Sequence, residues 1–208
     1  MTKPILSAAL SALLIAAPAL AQPVRPALST APTMMPNDDL VRVRIETTYG
    51  AIVLALDRRR APVTTRNFLQ YIDKGRLDGE TFYRAMPYAK GGLIQGGIMS
   101  DGRKLAPPIA HEPTTRTGLK HLAGAISMAA SGPGTAQSDF FILTTDIPAF
   151  DATATDPGFA VFGRVLEGMD VVGKILAAPV SPTKGAGSMK GQMLEPAVKI
   201  VKALRVTR

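Results

Sequence analysis

Ala125-Ile126-Ser127-Met128-Ala129 and, nine residues later, Asp139-Phe140-Phe141-Ile142 decide the fold. An apolar run of strand length feeds a Gly/Pro loop and then an aromatic run, which reads as two short strands. Similar runs punctuated by Gly and Pro lie on both sides: Phe82 to Met86, Leu93 to Gln95, Phe141 to Thr144 and Ala160 to Val165. Earlier, Val41, Val43 and Ile45 alternate with Arg42, Arg44 and Glu46, and Tyr49-Gly50 turns the chain into Ile52 to Leu56 as a hairpin. Val198, Ile200 and Ala203 to Val206 supply a last strand. Pro62 suits a first helical turn, Phe68, Leu69 and Ile72 share one face, and Gly75 stands where a cap belongs, predicting a helix from about Pro62 to Lys74. A second begins near Glu167, carries Met169, Val172, Ile175 and Leu176 at helical spacing, and stops before Pro179. Ala178 to Met193, rich in Pro, Gly, Ser and Lys, reads as a long surface loop. About eight short strands and two helices in one domain imply a mainly β fold. Its expected form is a closed eight-stranded antiparallel barrel capped by two α-helices, because closure removes exposed edges.

The ends of the chain bound its location. Lys3, an apolar run from Ile5 to Ala17, Pro18 and the Ala19-Leu20-Ala21 site before Gln22 form a secretory signal over residues 1–21. The run falls well short of the ~20 residues that span a bilayer, so stable membrane insertion is not expected after cleavage. Residues 22–39 place prolines at 23, 26, 32 and 36 among Ala, Ser and Thr, which reads as a flexible tether. Residues 40–208 form the folded domain. With no cysteine, a disulfide framework, a lipid-modified N-terminal cysteine and a thiol nucleophile are excluded. The expected compartment is the periplasm, with full secretion as the alternative.

The formal charge of +8 raises the question of nucleic acid. The 24 basic residues are scattered, the one run is Arg58-Arg59-Arg60 at a turn, and no tryptophan supplies a stacking platform, so no nucleic-acid partner is expected. His111 and His121 are ten positions apart without thiol partners, which gives no metal site. There is no G-x-S-x-G elbow, and Gly185, Gly187 and Gly191 miss the dinucleotide spacing.

Four pieces in order, Phe82-Tyr83-Arg84, Gln95-Gly96-Gly97, the Ala125 to Ile142 segment and Phe159-Ala160-Val161-Phe162-Gly163-Arg164-Val165, resemble the cyclophilins over roughly Val41 to Arg208. Cyclophilins are peptidyl-prolyl cis-trans isomerases, so the resemblance implies X-Pro isomerisation during folding of exported proteins, with no cofactor. Its partners would be proline-containing unfolded or flexible polypeptides, met by a monomer. Arg84 occupies the catalytic arginine position, two residues after Phe82, and a regular strand would point both side chains to one face. Gln95 matches the glutamine that contacts the substrate backbone, and Phe141 the floor of the proline pocket. Leu93 stands for a pocket methionine, and Ala129 for an alanine whose backbone pairs with an extended substrate.

Departures from the family pattern gather at the pocket rim. Gly92 replaces an aromatic residue beside about three inserted residues in Tyr88 to Gly91, Ala130 an asparagine, and Asp139 a glutamine. Ala149 stands for the tryptophan whose indole N–H binds cyclosporin in sensitive members, and Phe159 for a histidine, after an insertion around Ala152 to Gly158. Phe150 and Phe159 read as apolar replacements that keep the proline ring dry. The competing reading is a proline-binding, chaperone-like module that kept the groove and lost turnover; retention of Arg84 favours the enzyme.

Overall fold

The computed structural model describes residues 39–206, so the signal and tether readings on residues 1–38 lie outside the described range. Among the described residues nine strands are present: β1 Leu40–Thr47, β2 Gly50–Asp57, β3 Thr81–Tyr88, β4 Gly91–Gly97, β5 Ala125–Met128, β6 Phe140–Leu143, β7 Ala160–Glu167, β8 Val180–Ser181 and β9 Met193–Arg205. Their order is β1-β2-β7-β5-β6-β4-β3-β9, and β1 also pairs with β9, which closes eight antiparallel strands into a barrel. The two-residue β8 only flanks β9.

Alternation becomes sidedness as expected in β1, where Val43 and Ile45 are fully buried while Arg42 is exposed and Arg44 and Glu46 are half-buried. One end of the interior is filled by rings. Phe68 of α1 (Pro62–Asp73) meets Phe140 at 5.1 Å and Phe162 at 5.2 Å, and Phe140 meets Phe82 at 5.6 Å. Such tilted and edge-to-face pairs favour aromatic packing beyond area burial. Helix α1 stops at Gly75, where the Arg76 N–H donates to the Tyr71 carbonyl and the Gly75 N–H to Ile72. Its start has no side-chain cap of its own. Instead the buried Glu112 carboxylate accepts from the Val63 N–H (3.1 Å), the Thr64 N–H (2.8 Å) and the Thr64 hydroxyl (2.7 Å).

Helix α3 (Met169–Leu176) packs on β2, within the predicted bounds. A third, short helix, α2 (Thr114–Thr117), adds to the two expected. It is too brief to leave a hydrophobic period in the sequence.

The barrel has a second apolar layer on its outer wall. Leu93, Ala125, Phe141, Leu143 and Val161 point outward from β4, β5, β6 and β7 and are covered by Ile147, Phe150 and Phe159. These strands are therefore buried on both faces, and that outer layer carries the site.

Candidate active site

All seven sequence-predicted residues, Arg84, Leu93, Gln95, Ala129, Phe141, Phe150 and Phe159, line one cavity of about 600 Å³. Register assembles its centre. Arg84 of β3 lies opposite Gln95 of β4, Gln95 opposite Phe141 of β6, and Phe141 opposite Ser127 of β5, one row across four strands.

The expectation that Phe82 and Arg84 share a face is corrected by a bulge. Phe82 pairs with Gly96 and Arg84 with Gln95, so Tyr83 is an extra residue in β3. One extra residue reverses the sidedness downstream. Phe82 and Ala85 thus enter the core, whereas Tyr83, Arg84 and Met86 all look outward.

Arg84 is held on three sides. Its Nη1 donates to Gln95 Oε1 (2.9 Å), its Nε to Gln192 Oε1 (2.9 Å), and its Nη2 to the Met86 sulfur (3.3 Å). A guanidinium has five N–H donors, so one remains on each terminal nitrogen for a bound peptide. Burial lowers the Arg84 pKa from its ordinary value, yet an arginine keeps its charge at neutral pH. Gln95 in turn donates from Nε2 to the Tyr83 hydroxyl (2.6 Å), and Tyr83 donates to Asp139 Oδ2 (2.7 Å). Burial, then the charge of Asp139, pushes the Tyr83 phenol up; burial also raises the Asp139 carboxyl.

The apolar half is a cluster of phenylalanines. Phe141 meets Phe159 at 5.4 Å and Phe150 at 5.7 Å, and Phe150 meets Phe159 at 5.1 Å, all edge-on. His121 stacks on Phe141 with an interplanar angle of 16°. Its Nδ1 lies 2.8 Å from Asp151 Oδ1 and its Nε2 3.0 Å from Ser127 Oγ. Asp151 pulls the imidazole pKa up, but burial is the larger effect and lowers it, so His121 is neutral. A carboxylate accepts only, so Nδ1 carries the proton and Ser127 donates to Nε2. The pairing mimics a hydrolytic triad, but Ser127 is 0% and His121 1% exposed, and neither hydroxyl nor ring can meet a substrate. They brace the Phe141 floor.

Sequence reasoning missed Tyr83, Met86, His121 and Gln192. The supposed surface loop Ala178 to Met193 is corrected too: it contributes Met189 to the cavity lining and Gln192 to Arg84, and the Gln192 Nε2 is tied to the Ser188 carbonyl (2.8 Å). At the rim, Gly92 faces Pro87 across the hairpin, and a Cβ there would fall 2.1 Å from the Met86 carbonyl oxygen. Ala89 and Lys90 alone join β3 to β4. Ala149 is exposed and outside the cavity lining, and Phe150 is the ring that enters it.

The outer wall of the barrel thus brings a guanidinium and a cluster of phenylalanine rings to one cavity. Residues 42–204 match the family described as cyclophilin type peptidyl-prolyl cis-trans isomerase/CLD. The chain is 42% identical over 137 residues to peptidyl-prolyl cis-trans isomerase A of Dickeya dadantii, covering 64% of this chain and 70% of that one. It is 35% identical over 140 residues to peptidyl-prolyl cis-trans isomerase B of Escherichia coli, covering 64% and 82%. The fold is similar to a crystal structure of a Cryptosporidium parvum cyclophilin type peptidyl-prolyl cis-trans isomerase, with TM-score 0.66, 22% identity, and 81% and 99% of the two chains covered. The chain belongs to the cyclophilin-type peptidyl-prolyl cis-trans isomerase family, and its activity is the isomerisation of X-Pro bonds.

Proposed function

We propose that Arg84 is the catalytic donor of this isomerase and that the phenylalanine cluster grips the proline ring. Rotation of an X-Pro bond must break amide resonance, at a barrier near ~20 kcal/mol, and needs no nucleophile. As the bond twists, the lone pair localises on the prolyl nitrogen. A donor fixed toward that nitrogen stabilises the twisted state more than either planar one. The observation that carries this is the guanidinium itself: clamped by Gln95, Gln192 and Met86, with donors to spare, on the wall of the cavity floored by Phe141. Phe150 and Phe159 exclude water from the ring. Ala129 offers its carbonyl to an extended peptide, its N–H being bonded to the Asp139 carbonyl (2.9 Å).

The proposed clients are exported polypeptides with exposed prolines, met in the periplasm by a monomer; residues 1–21 carry the features that support export. Acceleration of cis-to-trans conversion in a short X-Pro peptide by the mature chain tests the reading. Peptide binding without acceleration would leave a chaperone-like module instead.

A further inference from the structure

We propose that Asp139 is a positioning residue for Arg84, acting through a one-directional hydrogen-bond relay across Tyr83 and Gln95 that reverses when the carboxylate takes up a proton. The proposal rests on the reading of Arg84 as catalytic donor.

The direction of the relay follows from the chemistry of its end. An ionised carboxylate only accepts, so the Tyr83 hydroxyl must donate to Asp139 Oδ2. Its lone pairs then face Gln95 Nε2, which turns Gln95 Oε1 toward Arg84 Nη1. Two neighbours hold the Gln95 amide, whose ends are nearly the same shape, in this orientation: the Tyr83 lone pairs at Nε2 and the donor-only Arg84 guanidinium at Oε1. A protonated Asp139 can donate to Tyr83 instead. Tyr83 then donates to Gln95 Oε1, the amide turns over, and its N–H₂ confronts Arg84, donor against donor.

The fold makes room for this carboxylate. A Cβ on Gly97 would fall 2.1 Å from Asp139 Oδ1, and Ser138 Oγ donates to that oxygen (3.1 Å). The bulge that turns Tyr83 and Arg84 to one side is what lets both meet Gln95. The titratable groups facing Asp139 are Tyr83 of β3, through it Arg84, and Tyr71 of α1. Neither tyrosine ionises at neutral pH, since burial raises both. Asp139 itself is raised by burial, which moves the reversal toward neutral pH.

The test compares the wild type with Asp139→Asn, Tyr83→Phe and the double variant, following kcat/KM on an X-Pro peptide from about pH 5 to pH 8. The wild type loses activity toward acid. Asp139→Asn, which can present either end of its amide to Tyr83, is expected to be about tenfold slower at the alkaline end and to lack the acid limb. Tyr83→Phe behaves the same way, and the double variant is no slower than the slower single, because one relay is cut once. Melting at the alkaline end separates positioning from damage. A carboxylate raised by its fold costs stability once ionised, so Asp139→Asn melts at or above the wild type while turning over more slowly. The Arg84 Nη1–H resonance, on the nitrogen bonded to Gln95, reads the relay without turnover: it titrates with pH in the wild type and not in Asp139→Asn. An acid limb retained by Asp139→Asn, multiplicative losses in the double variant, or an unresponsive wild-type Arg84 resonance overturns the relay. An inactive wild type whose Arg84 resonance still titrates overturns the catalytic reading and leaves the relay standing.

Discussion

Replacing Arg84 with alanine separates the catalytic contribution proposed for this side chain from its structural one. The substitution removes three hydrogen bonds, to Gln95, Gln192 and Met86, and both unspent donors. The stranded acceptors border an open cavity and can be rehydrated, so the stability cost is about 1 kcal/mol, a fall of roughly 2–4 °C in melting temperature for a domain this size. The catalytic cost is larger, because a donor aimed at developing charge is worth ~10²–10³ in rate, about 3–4 kcal/mol. Arg84→Lys gains little back. An ammonium has three donors, and satisfying Gln95 and Gln192 consumes two, while the planar fork is lost. Gln192→Ala leaves the charge and frees Nε; losing that one anchor is expected to cost about threefold to tenfold in kcat/KM. The assay is X-Pro isomerisation under single-substrate conditions, with a thermal melt of each variant. Near-normal turnover by a folded Arg84→Ala protein would remove Arg84 from the chemistry.

Three further outcomes are expected. Neutral, buried His121 has a lowered pKa, so the unfolded chain binds its proton first: stability is complete above about pH 6.5 and falls as the pH drops below it. The difference between wild-type and His121→Gln melting profiles isolates this slope, and identical slopes would mean that folding leaves the His121 pKa at its unfolded value. Glu112→Ala strands two backbone donors at the start of α1 and is expected to cost about 3 kcal/mol in a denaturant titration; an unchanged midpoint would show that water replaces the carboxylate. Cyclosporin should inhibit roughly tenfold to hundredfold more weakly than in members with the tryptophan donor, since the cavity rings are all phenylalanines. Phe150→Trp should tighten inhibition and Ala149→Trp, on an exposed site, should not; the reverse order would put residue 149 on the groove.

What the sequence made legible was local. Alternation in β1, the face of α1 and the Gly/Pro punctuation around β5 and β6 depend on neighbours a few positions apart, and all appear where expected. The cavity residues came from motif order. What stayed hidden depends on pairings distant along the chain: Glu112 capping a helix 49 residues earlier, Gln192 reaching Arg84 across 108, His121 lying behind Phe141. No periodicity records such contacts. The bulge at Tyr83 escaped for a different reason, since neither Gly nor Pro marks it and only pairing with β4 reveals the extra residue.

That bulge also explains why a barrel without a usable lumen can hold a peptide. The interior is filled, by Phe68, Phe82, Phe140 and Phe162 at one end and by aliphatic side chains such as Ile45, Leu54 and Ile126 elsewhere, so a site must lie on the outer wall, where alternation gives each strand only every second residue. A regular β3 could send Arg84 outward only by sending Phe82 outward too, exposing a large ring and emptying the end of the core. One inserted residue removes the conflict. Phe82 stays inside, Ala85 closes the wall behind it, and Tyr83 and Arg84 reach the same outer groove from consecutive positions. The cost is one lost rung of the β3–β4 ladder, offset by side-chain hydrogen bonds from Tyr83 and Arg84 to Gln95. Core packing and chemistry thus meet in one strand without competing for the same face.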